Sequence, residues 1–332
     1  MTMFYTKMFK FVLFSLLSLT FSSKIPNEDD NMFNSYVDYL NNYNKHYNEN
    51  DFWLHYTIYR DNVNYINNRN NRSYSYKLGI NKFTDMSRKD FGSTYLSNRY
   101  YSPNTHRVNQ SRLLNIPDSV DWRANGWVTD VKDQGQCGSC WAFSAIGAIE
   151  GYHANVSKNL VSLSEQNLLD CSYGFGCEGC GGGWPEAAMR YVINQSGVDT
   201  ESSYPYTAMD GDSCLYNKTK RGGIIHTTHN ISKGDTNGLL NSLAKIGPIS
   251  IAIDAEEDFQ FYSSGIFNST TCSSEELDHA VLAVGYGKTT DNRKFLIVKN
   301  SWGKDWGMDG YIYMSLDIPN MCGVSSVASY PL

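Results

Sequence analysis

Gln134-Gly-Gln-Cys-Gly-Ser-Cys-Trp-Ala-Phe143 joins a glycine-bearing loop to an apolar run that is typical of a buried helix. Cys140 lies in the first turn of this predicted helix. The unpaired N–H groups and the positive end of the helix dipole favour a thiolate at this position. Because the thiolate is the form of cysteine that attacks, the stretch predicts a nucleophile that needs a base and an orienting group from elsewhere in the chain.

Two other interpretations of the cysteines remain open. Cys137 and Cys140 form a C-x-x-C pair, and so do Cys177 and Cys180, which is the spacing of zinc ribbons and of redox motifs. Redox pairs usually lie in a βαβ pattern, which the flanking sequence lacks, and zinc-ribbon cysteines lie on β-turns rather than at the start of an apolar helix. The other alternative is a structural disulfide that uses both cysteines.

The N-terminus has the pattern of a secretory signal peptide. Lys7 and Lys10 precede an apolar run from Phe11 to Phe21, and we assign residues 1–22 to the signal. The run is too short to span a bilayer and no later stretch is apolar enough, so we expect no membrane anchor. We expect a lysosome-like or extracellular destination, where disulfides persist and sequons are glycosylated. The sequon asparagines are Asn71, Asn109, Asn155, Asn194, Asn217, Asn230 and Asn268.

Composition allows two domains with a sizeable core, because 41% of the 332 residues are apolar and 14% are aromatic. The net charge of −6 is unevenly distributed. Residues 24–115 carry 12 Lys and Arg against 9 Asp and Glu, whereas residues 116–332 carry 14 against 25. The acidic C-terminal part argues against nucleic-acid binding, since it offers phosphates no basic patch. The opposite signs indicate that the two parts attract each other.

The part before residue 116 is predicted to be largely helical. Apolar residues recur at helical spacing from Met32 to about Asn70 and predict two amphipathic helices. Residues 79–85 alternate between apolar and polar, which predicts a strand-like piece. Residues 87–112 show no clear period, and we expect an exposed, cleavable linker there.

The C-terminal part divides into a helical half and a β half. Ser164 and Glu165 give a capping-box signal for a short helix that ends near Cys171, and Pro185 suits the first turn of another. The β-rich runs that follow between glycine turns are 247–254, 279–286, 294–300, 310–314 and 324–330. These halves predict an α+β fold with a cleft between them, and functional sites favour such clefts.

The base for Cys140 must be sought among seven histidines. His279 begins one of the β-rich runs, while the other six lie in the N-terminal part or in polar surroundings. A lone histidine at the start of a strand is more often structural than catalytic. Asn300 ends another run and is equally ambiguous alone, because an asparagine there is usually a turn former.

Taken together, these residues resemble the papain family of cysteine proteases, and within it the cathepsin L type. Cys137-Gly-Ser-Cys140-Trp, with a histidine and an asparagine far downstream, is the signature of papain and cathepsins. Leu163-Ser-Glu-Gln, Asp278-His-Ala-Val and Asn300-Ser-Trp-Gly match as well, and the likeness covers nearly everything after residue 24. It implies a papain-like two-domain α+β fold, with a helical left domain, a β-barrel-like right domain and the active-site cleft between them, preceded by a helical inhibitory prosegment.

The resemblance implies an inhibitory propeptide over residues 23–115 and a peptidase domain over residues 116–332. Gly79-x-Asn-x-Phe-x-Asp85 matches the family's second prosegment motif. The first motif departs from the family, because Asp51 and His55 stand where it has Glu and Arg; these two are four residues apart and are able to pair when the histidine is charged. Since the prosegment is basic and the enzyme acidic, we expect the two to loosen as pH falls and carboxylates become protonated.

The resemblance also assigns chemical roles. Cys140 is the nucleophile, His279 is its acid and base, and Asn300 orients the imidazole, while the Trp302 indole shields that hydrogen bond from water. The side-chain amide of Gln134 and the backbone N–H of Cys140 form an oxyanion hole, whose donors are worth about 3 kcal/mol each. The implied reaction is peptide hydrolysis through a thiolate–imidazolium pair and an acyl-enzyme, with no cofactor and no metal. A catalytically inactive, papain-like binding protein is the alternative, although all four polar residues are present.

We expect an endopeptidase, because no insertion resembles the occluding loop of relatives that remove dipeptides. The pocket for the second residue before the cut is uncharged and mostly apolar, so we predict Leu, Phe or Val there. Because Val327 supplies no carboxylate, we expect no special tolerance of Arg. The substrate-binding residues implied by the resemblance are Gly182, Gly183, Trp184, Pro185, Ala252, Leu277, Asp278, Ala280, Trp302 and Val327.

The resemblance implies a thiol at Cys140 and the disulfides Cys137–Cys180, Cys171–Cys214 and Cys272–Cys322. Cys177 has no place in the family's pattern. It is an exposed thiol or it competes with Cys180 for Cys137, and we favour a thiol outside the bridges. The implied partners are peptide and protein substrates, the chain's own prosegment and cystatin-type inhibitors, and we expect a monomer.

Overall fold

The computed structural model describes residues 31–97, 110–255 and 257–332. The chain divides into two compact units, Met1–Arg60 and Asp61–Leu332. The signal peptide assigned to residues 1–22 lies outside the described residues. Within the described ranges, none of the helices combines the length and the apolar character that crossing a membrane requires.

The first unit contains helix α1 (Asn31–Asn42) and the start of helix α2 (Glu49–Asn70), which continues into the second unit. The helices pack through aromatic rings, with Tyr36 and Tyr59 buried and their centroids 5.1 Å apart. The hydroxyl groups of Ser35 and Tyr59 lie 2.8 Å apart. The prediction of two amphipathic helices in this region is confirmed.

Asp51 and His55, the two residues that depart from the expected helix motif, lie in the first turns of α2. Asn48 caps the helix, because its side-chain oxygen accepts a hydrogen bond from the backbone N–H of Asp51 at 3.0 Å. The side-chain amide of Asn48 also donates to the Asp51 carboxylate at 2.6 Å. The ring of His55 stacks on Tyr47, with centroids 3.9 Å apart. The pairing of Asp51 with His55 stays a prediction.

The strand predicted over residues 79–85 is wrong. The strand, β1 (Tyr76–Leu78), lies just before it, and a turn-bearing loop follows. Asn81 shapes this loop, since its side-chain oxygen accepts from the N–H of Phe83 at 2.9 Å and its own N–H donates to the hydroxyl of Thr84 at 2.9 Å. Phe83 and Thr84 are adjacent and both fully buried, so the alternating letters do not mark two faces of a strand.

The exposed linker predicted over residues 87–112 is wrong in its first part. Arg88–Tyr95 form helix α3, whose first turn is capped by the side chain of Ser87. Phe91 on this helix is fully buried in the core. This tertiary packing stabilises a short polar helix that its own sequence would not hold. Residues 98–109 lie outside the described residues.

Five further α-helices follow in the described residues of the second unit, besides four short 3-10 helices, and those predicted over residues 140–197 are confirmed. Ser164 caps one of them, its hydroxyl accepting from the N–H of Asn167 at 2.9 Å. Pro185 opens the next, at a position where a missing N–H breaks no helical hydrogen bond. The five are α4 (Cys140–Ser157), α5 (Glu165–Cys171), α6 (Pro185–Gln195), α7 (Thr236–Lys245) and α8 (Glu257–Gln260).

The strands after β1 lie between Val120 and Pro331. They are β2 (Val120–Asp121), β3 (Val198–Asp199), β4 (Arg221–Gly223), β5 (Thr228–Asn230), β6 (Ile249–Ile253), β7 (Tyr262–Phe267), β8 (His279–Lys288), β9 (Lys294–Lys299), β10 (Tyr311–Ser315) and β11 (Val327–Pro331). One nine-stranded sheet has the order β1-β7-β10-β9-β8-β6-β11-β5, with β2 pairing to β8, and β3 pairs with β4. Neighbours are antiparallel except β7 and β10.

Buried apolar residues form two cores. One gathers the sheet residues around Trp302 together with Phe83 and Phe91, and the other gathers helices α4 to α6 against a face of β6 and β8. The hydroxyl of Ser144 on α4 donates to the carbonyl of Val281 on β8 at 2.7 Å, which joins helix to sheet. Helical and β halves therefore meet along α4 and β8, and the α+β prediction is confirmed.

Disulfides hold the loops of both halves. Removing such a bridge typically costs about 2–4 kcal/mol of stability. The bonds are Cys137–Cys180, Cys171–Cys214 and Cys272–Cys322, which are the pairings implied by the resemblance.

Candidate active site

Cys140 opens helix α4, and its side chain is fully buried. The loop before it is braced by the disulfide at Cys137 and by Tyr206. The Tyr206 hydroxyl donates to the carbonyl of Gln134 at 2.8 Å and lies 2.6 Å from the hydroxyl of Ser139. Since a carbonyl only accepts, the single tyrosine proton is used there and Ser139 is the donor in the second bond. The thiol thus lies at the positive end of a helix whose entry is rigid.

His279, at the start of β8, is joined to Asn300, 21 residues further along the chain. Its Nε2 lies 2.8 Å from Oδ1 of Asn300. The backbone N–H of Ser301 donates to the same oxygen at 2.8 Å, which identifies that atom as an acceptor. Nε2 therefore carries the hydrogen, and Nδ1 of the neutral ring has the lone pair that accepts a proton. The N–H of Ala280 lies 3.5 Å from the sulfur of Cys140, so thiol and imidazole belong to one site.

Trp302 covers the imidazole. The two rings are stacked, with centroids 4.5 Å apart and an angle of 22° between their planes, and Phe91 packs edge-on against the indole at 5.1 Å. Burial lowers the pKa of His279 to about 4; the charge of Arg88 acts in the same direction, and the hydrogen bond to Asn300 opposes them. The imidazole is therefore neutral at pH 7 while this site is covered.

Gln134 presents a fixed hydrogen-bond donor on the loop that leads into Cys140. The hydroxyl of Ser301 donates to Oε1 of its side chain at 2.7 Å, which turns the amide nitrogen the other way. That nitrogen donates to the carbonyls of Tyr95 at 2.9 Å and Cys137 at 2.8 Å. A donor that already holds a main-chain carbonyl is placed to bind the oxygen of a reacting carbonyl.

Residues 95–97 lie across the site. The N–H of Ser97 donates to the carbonyl of Asp278 at 2.8 Å, and its hydroxyl donates to the carbonyl of Gly138 at 3.2 Å. The same hydroxyl oxygen is 3.2 Å from the sulfur of Cys140. This segment therefore bridges the β half and the helical half directly over the thiol.

The residues predicted to line the substrate pocket lie on several elements. Val327 on β11 and Ala280 on β8 both pair with Ala252 on β6, so their side chains form a row across the sheet. Leu277 is fully buried in the same apolar cluster, and Trp184 packs partly buried against it. The structure thus brings these predicted positions into one apolar cluster.

Gly182 and Gly183 form the approach to α6, which Pro185 opens. At Gly183 a Cβ atom would lie 2.7 Å from the ring of Trp141 and 3.1 Å from the Cβ of Cys177. Glycine is therefore the residue that lets the backbone pass this close to the helix α4 side chains. The pocket positions on this loop depend on that close packing.

Cys177 lies outside the three disulfides, as we favoured, but the alternative of an exposed thiol is wrong because the side chain is buried. Its sulfur is 3.9 Å from the carbonyl of Trp184, and burial raises the pKa of its thiol. The Cys137–Cys180 bridge takes one cysteine from each C-x-x-C pair, so neither pair is intact for zinc or redox chemistry. In the part of the chain that the structure describes, no group of three or more His, Cys, Asp or Glu side chains is arranged to hold a metal ion.

Several residues at the site were missed by sequence reasoning. Tyr95, Ser97 and Arg88 come from the stretch interpreted as a linker, whose polar and aperiodic composition carried no signal for them. In the sequence Ser301 is only one residue of the Asn300-Ser-Trp-Gly motif, and its position between Asn300 and Trp302 is the one signal for a role. It holds both the orienting amide and the Gln134 amide.

Family models match both parts of the chain. The model described as papain family cysteine protease matches residues 116–332, and the model of the cathepsin propeptide inhibitor domain (I29) matches residues 36–91. Cysteine proteinase 2 of Dictyostelium discoideum is 39% identical, with 97% of this chain and 98% of that protein covered. Cathepsin L of Sarcophaga peregrina is 45% identical, with 77% of this chain and 78% of that protein covered.

A solved structure also resembles this chain. It is digestive procathepsin L 3 from the larval midgut of Tenebrio molitor, which superposes with a TM-score of 0.83 at 37% sequence identity. The likeness covers 91% of this chain and 99% of that chain. The similarity therefore includes the N-terminal region as well as the part that contains the candidate site.

Proposed function

We propose that Cys140 and His279 carry out peptide hydrolysis in this chain, which belongs to the papain family of cysteine proteases and is the zymogen of a cathepsin L-like enzyme. Asn300 orients the imidazole through its amide oxygen. Gln134 supplies an oxyanion donor from its side chain. In the precursor, residues 95–97 keep this machinery covered.

The chemistry follows from the assigned proton positions. The thiol proton of Cys140 passes to Nδ1 of His279, and the thiolate attacks the carbonyl carbon of the peptide bond. The carbonyl oxygen takes the negative charge and is bound by the Gln134 amide and the backbone N–H of Cys140. The carbon–nitrogen bond then breaks as the imidazolium protonates the leaving amine. Water, deprotonated by His279, hydrolyses the thioester and restores the thiol.

The observation that carries the proposal is the position of residues 95–97. The carbonyl of Tyr95 accepts from the Gln134 amide at 2.9 Å, and the hydroxyl oxygen of Ser97 lies 3.2 Å from the Cys140 sulfur. A segment that places a main-chain carbonyl on this donor and a side chain against this sulfur occupies the position that a peptide substrate would take. Burial also lowers the pKa of His279, so the covered imidazole offers little positive charge to stabilise a thiolate.

The proposed substrates are peptides and proteins cut internally, with Leu, Phe or Val at the second position before the cut. The row of Ala252, Ala280 and Val327 supports this preference, because small apolar side chains leave room for an apolar residue and offer no partner to a charge. A fluorogenic peptide library tests it, and a profile dominated by a basic residue at that position contradicts it.

Maturation is proposed to remove everything up to about Ile116, after the signal over residues 1–22 has directed the chain into the secretory pathway. The segment before Ile116 is bonded to α7. The N–H of Ser111 donates to the Asp235 carboxylate at 2.9 Å, and the Asn241 amide donates to a backbone carbonyl in the same segment at 3.0 Å. Conversion therefore has to detach this segment as well as the one over the thiol, and lowered pH favours this because protonation of the acidic enzyme weakens its attraction for the basic prosegment.

The test is conversion of the purified precursor at about pH 4.5 and about pH 7, followed by N-terminal sequencing and an assay of peptide hydrolysis. We expect faster conversion at the lower pH, labelling of Cys140 by a thiol-directed inhibitor, and no conversion of a Cys140→Ala precursor on its own. Equal conversion rates at the two pH values would refute the charge-driven release. A correctly processed protein that hydrolyses no peptide would favour the inactive binding protein instead.

A further inference from the structure

Asp258, on the short helix α8, has a buried carboxylate whose exposed fraction is 2%. Its oxygens accept from three side chains of residues 65–76. The Tyr65 hydroxyl donates to Oδ1 at 2.7 Å, and Nε of Arg69 donates to the same oxygen at 3.0 Å. Nη2 of Arg69 and the Tyr76 hydroxyl donate to Oδ2. We call Tyr65, Arg69, Tyr76 and Asp258 the Asp258 latch. A carboxylate this buried requires such partners, because a buried charge without them is costly.

The guanidinium of Arg69 is held in one orientation. It lies over the ring of Tyr74, with 4.1 Å between its central carbon and the ring centroid, and it donates to the hydroxyls of Tyr74 and Tyr76. Its Nε and Nη2 face the two oxygens of Asp258 side by side, which is the bidentate geometry of a planar guanidinium. A lysine has a single nitrogen and cannot reproduce this arrangement.

The neighbouring contacts of the same segment with β7 are uncharged, and they include a hydrogen bond from the Ser75 hydroxyl to the carbonyl of Ile266 at 2.6 Å. Strand β1 pairs with β7 through backbone hydrogen bonds, which any extended sequence is able to form. Gly265 on β7 lets the segment approach closely, because a Cβ there would lie 2.4 Å from the carbonyl oxygen of Ser75. A second ion pair, Lys82–Asp133, is partly exposed, with 45% of the Asp133 side chain accessible, and exposed pairs contribute little. Phe83 and Phe91 of the prosegment add apolar packing against Trp302, and the latch adds a buried ion pair to that packing.

We propose that Asp258 is the residue by which this enzyme selects its own prosegment. Its buried carboxylate forms a binding site that fits an arginine flanked by two tyrosine hydroxyls. This inference rests on the proposed function, since it concerns what keeps the proposed active site covered. The partner is the chain's own segment Tyr65–Tyr76. Charge attraction between the two parts of the chain brings them together without sequence preference, and the latch supplies the preference.

The test uses full-length precursors that carry Cys140→Ala, so that no variant converts itself. Hydrogen exchange is measured at two amides that bridge the segment and the enzyme, Gly79 N–H to the Phe261 carbonyl and Ile266 N–H to the Ser75 carbonyl. We expect Arg69→Ala to raise their exchange rates at least about 30-fold, because one partner of a buried pair is lost. Lys82→Ala, the matched control, removes the same charge from an exposed pair and should change them less than about fivefold.

Two further variants decide whether the effect belongs to the pair. Asp258→Asn should resemble Arg69→Ala, and the double variant should be no faster than either single variant, since both remove one interaction. Additive effects, or an equal response to Lys82→Ala, would overturn the proposal. If Arg69→Ala prevents folding, Arg69→Lys keeps the charge without the fork and should still speed exchange. Because these precursors never react, the result stands even if the converted wild-type enzyme proves inactive.

Discussion

The amide nitrogen of Gln134 donates to the carbonyl oxygen of Tyr95 at 2.9 Å, so the donor proposed for the substrate's oxygen is already occupied in the zymogen. The hydroxyl of Ser301 holds the other end of the same amide at 2.7 Å. Release of the segment would therefore leave an amide that is already oriented by Ser301 and Cys137 and has lost one of its two acceptors. A preoriented donor stabilises a developing charge without having to reorganise first.

Replacing Gln134 by Ala should lower the kcat of the mature enzyme about 10²–10³-fold with little change in KM, because the donor acts on charge that develops in the transition state. Ser301→Ala should lower kcat less, since it only frees the amide to rotate. Steady-state kinetics on a peptide substrate measure both, with Gln195→Ala on α6 as a control remote from the site. Loss confined to KM would assign Gln134 to ordinary binding.

Acid should destabilise the precursor through His279. Its pKa is about 4 when folded and about 6.5 when unfolded, so the unfolded state binds more protons between these values and the free energy of unfolding falls as pH drops through them. Protonation of His279 alone should lower the free energy of unfolding by up to about 3 kcal/mol. Burial also raises the pKa of Asp278 to about 6, which acts in the opposite direction. Denaturant unfolding at several pH values, compared with a His279→Gln precursor, isolates the histidine, and parallel pH curves would contradict the assignment.

Trp302→Ala should admit water to the imidazole and raise the pKa of His279 from about 4 towards its ordinary value, because the covering ring is lost. It should also lower the precursor's free energy of unfolding by about 3–5 kcal/mol, the usual cost of deleting a fully buried tryptophan. NMR titration in Cys140→Ala precursors measures the pKa. Trp127→Ala, which removes an indole stacked on Trp122 instead, should leave that pKa unchanged.

Native mature enzyme should react with an alkylating reagent at Cys140 and not at Cys177. The Cys177 thiol is buried, and burial raises its pKa, so little thiolate is present at neutral pH. Mass spectrometry after brief alkylation identifies the modified residue, and repeating the reaction in denaturant should add Cys177. Comparable native modification of both thiols, or recovery of Cys177 in a disulfide, would refute the assignment.

Val327→Glu should let the enzyme cleave after sequences with Arg at the second position before the cut. A carboxylate at position 327, beside Ala252, would accept hydrogen bonds from the guanidinium of the substrate arginine. Such charged hydrogen bonds are worth about 1.5–3 kcal/mol. This corresponds to roughly a 10–100-fold gain in kcat/KM for substrates with Arg. Val327→Gln is the matched uncharged control. If both variants gain Arg cleavage equally, the effect comes from polarity or space and not from charge.

Local signals in the sequence predicted much of the fold. The capping serine of α5 and the proline that opens α6 act within a few residues, so the starts of both helices could be predicted from the sequence. The same kind of signal failed over residues 79–97. The alternating residues 79–85 form a loop in which the neighbours Phe83 and Thr84 are both buried. Phe91 is helical because its side chain packs against Trp302, which lies far away in the chain. Periodicity reports which side chains prefer to be buried, and not what they are buried against.

By itself the sequence determined where a reactive cysteine would sit, at the start of an apolar helix after a glycine loop, and which histidine and asparagine to consider with it. Only the tertiary structure decided the hydrogen position on His279, the covering of Cys140 by Ser97, and the burial of Cys177. It also brought Tyr65 to Asp258, 193 residues away. The physical reason is range: caps and helix dipoles act over one turn, whereas these contacts exist only after the whole chain has packed.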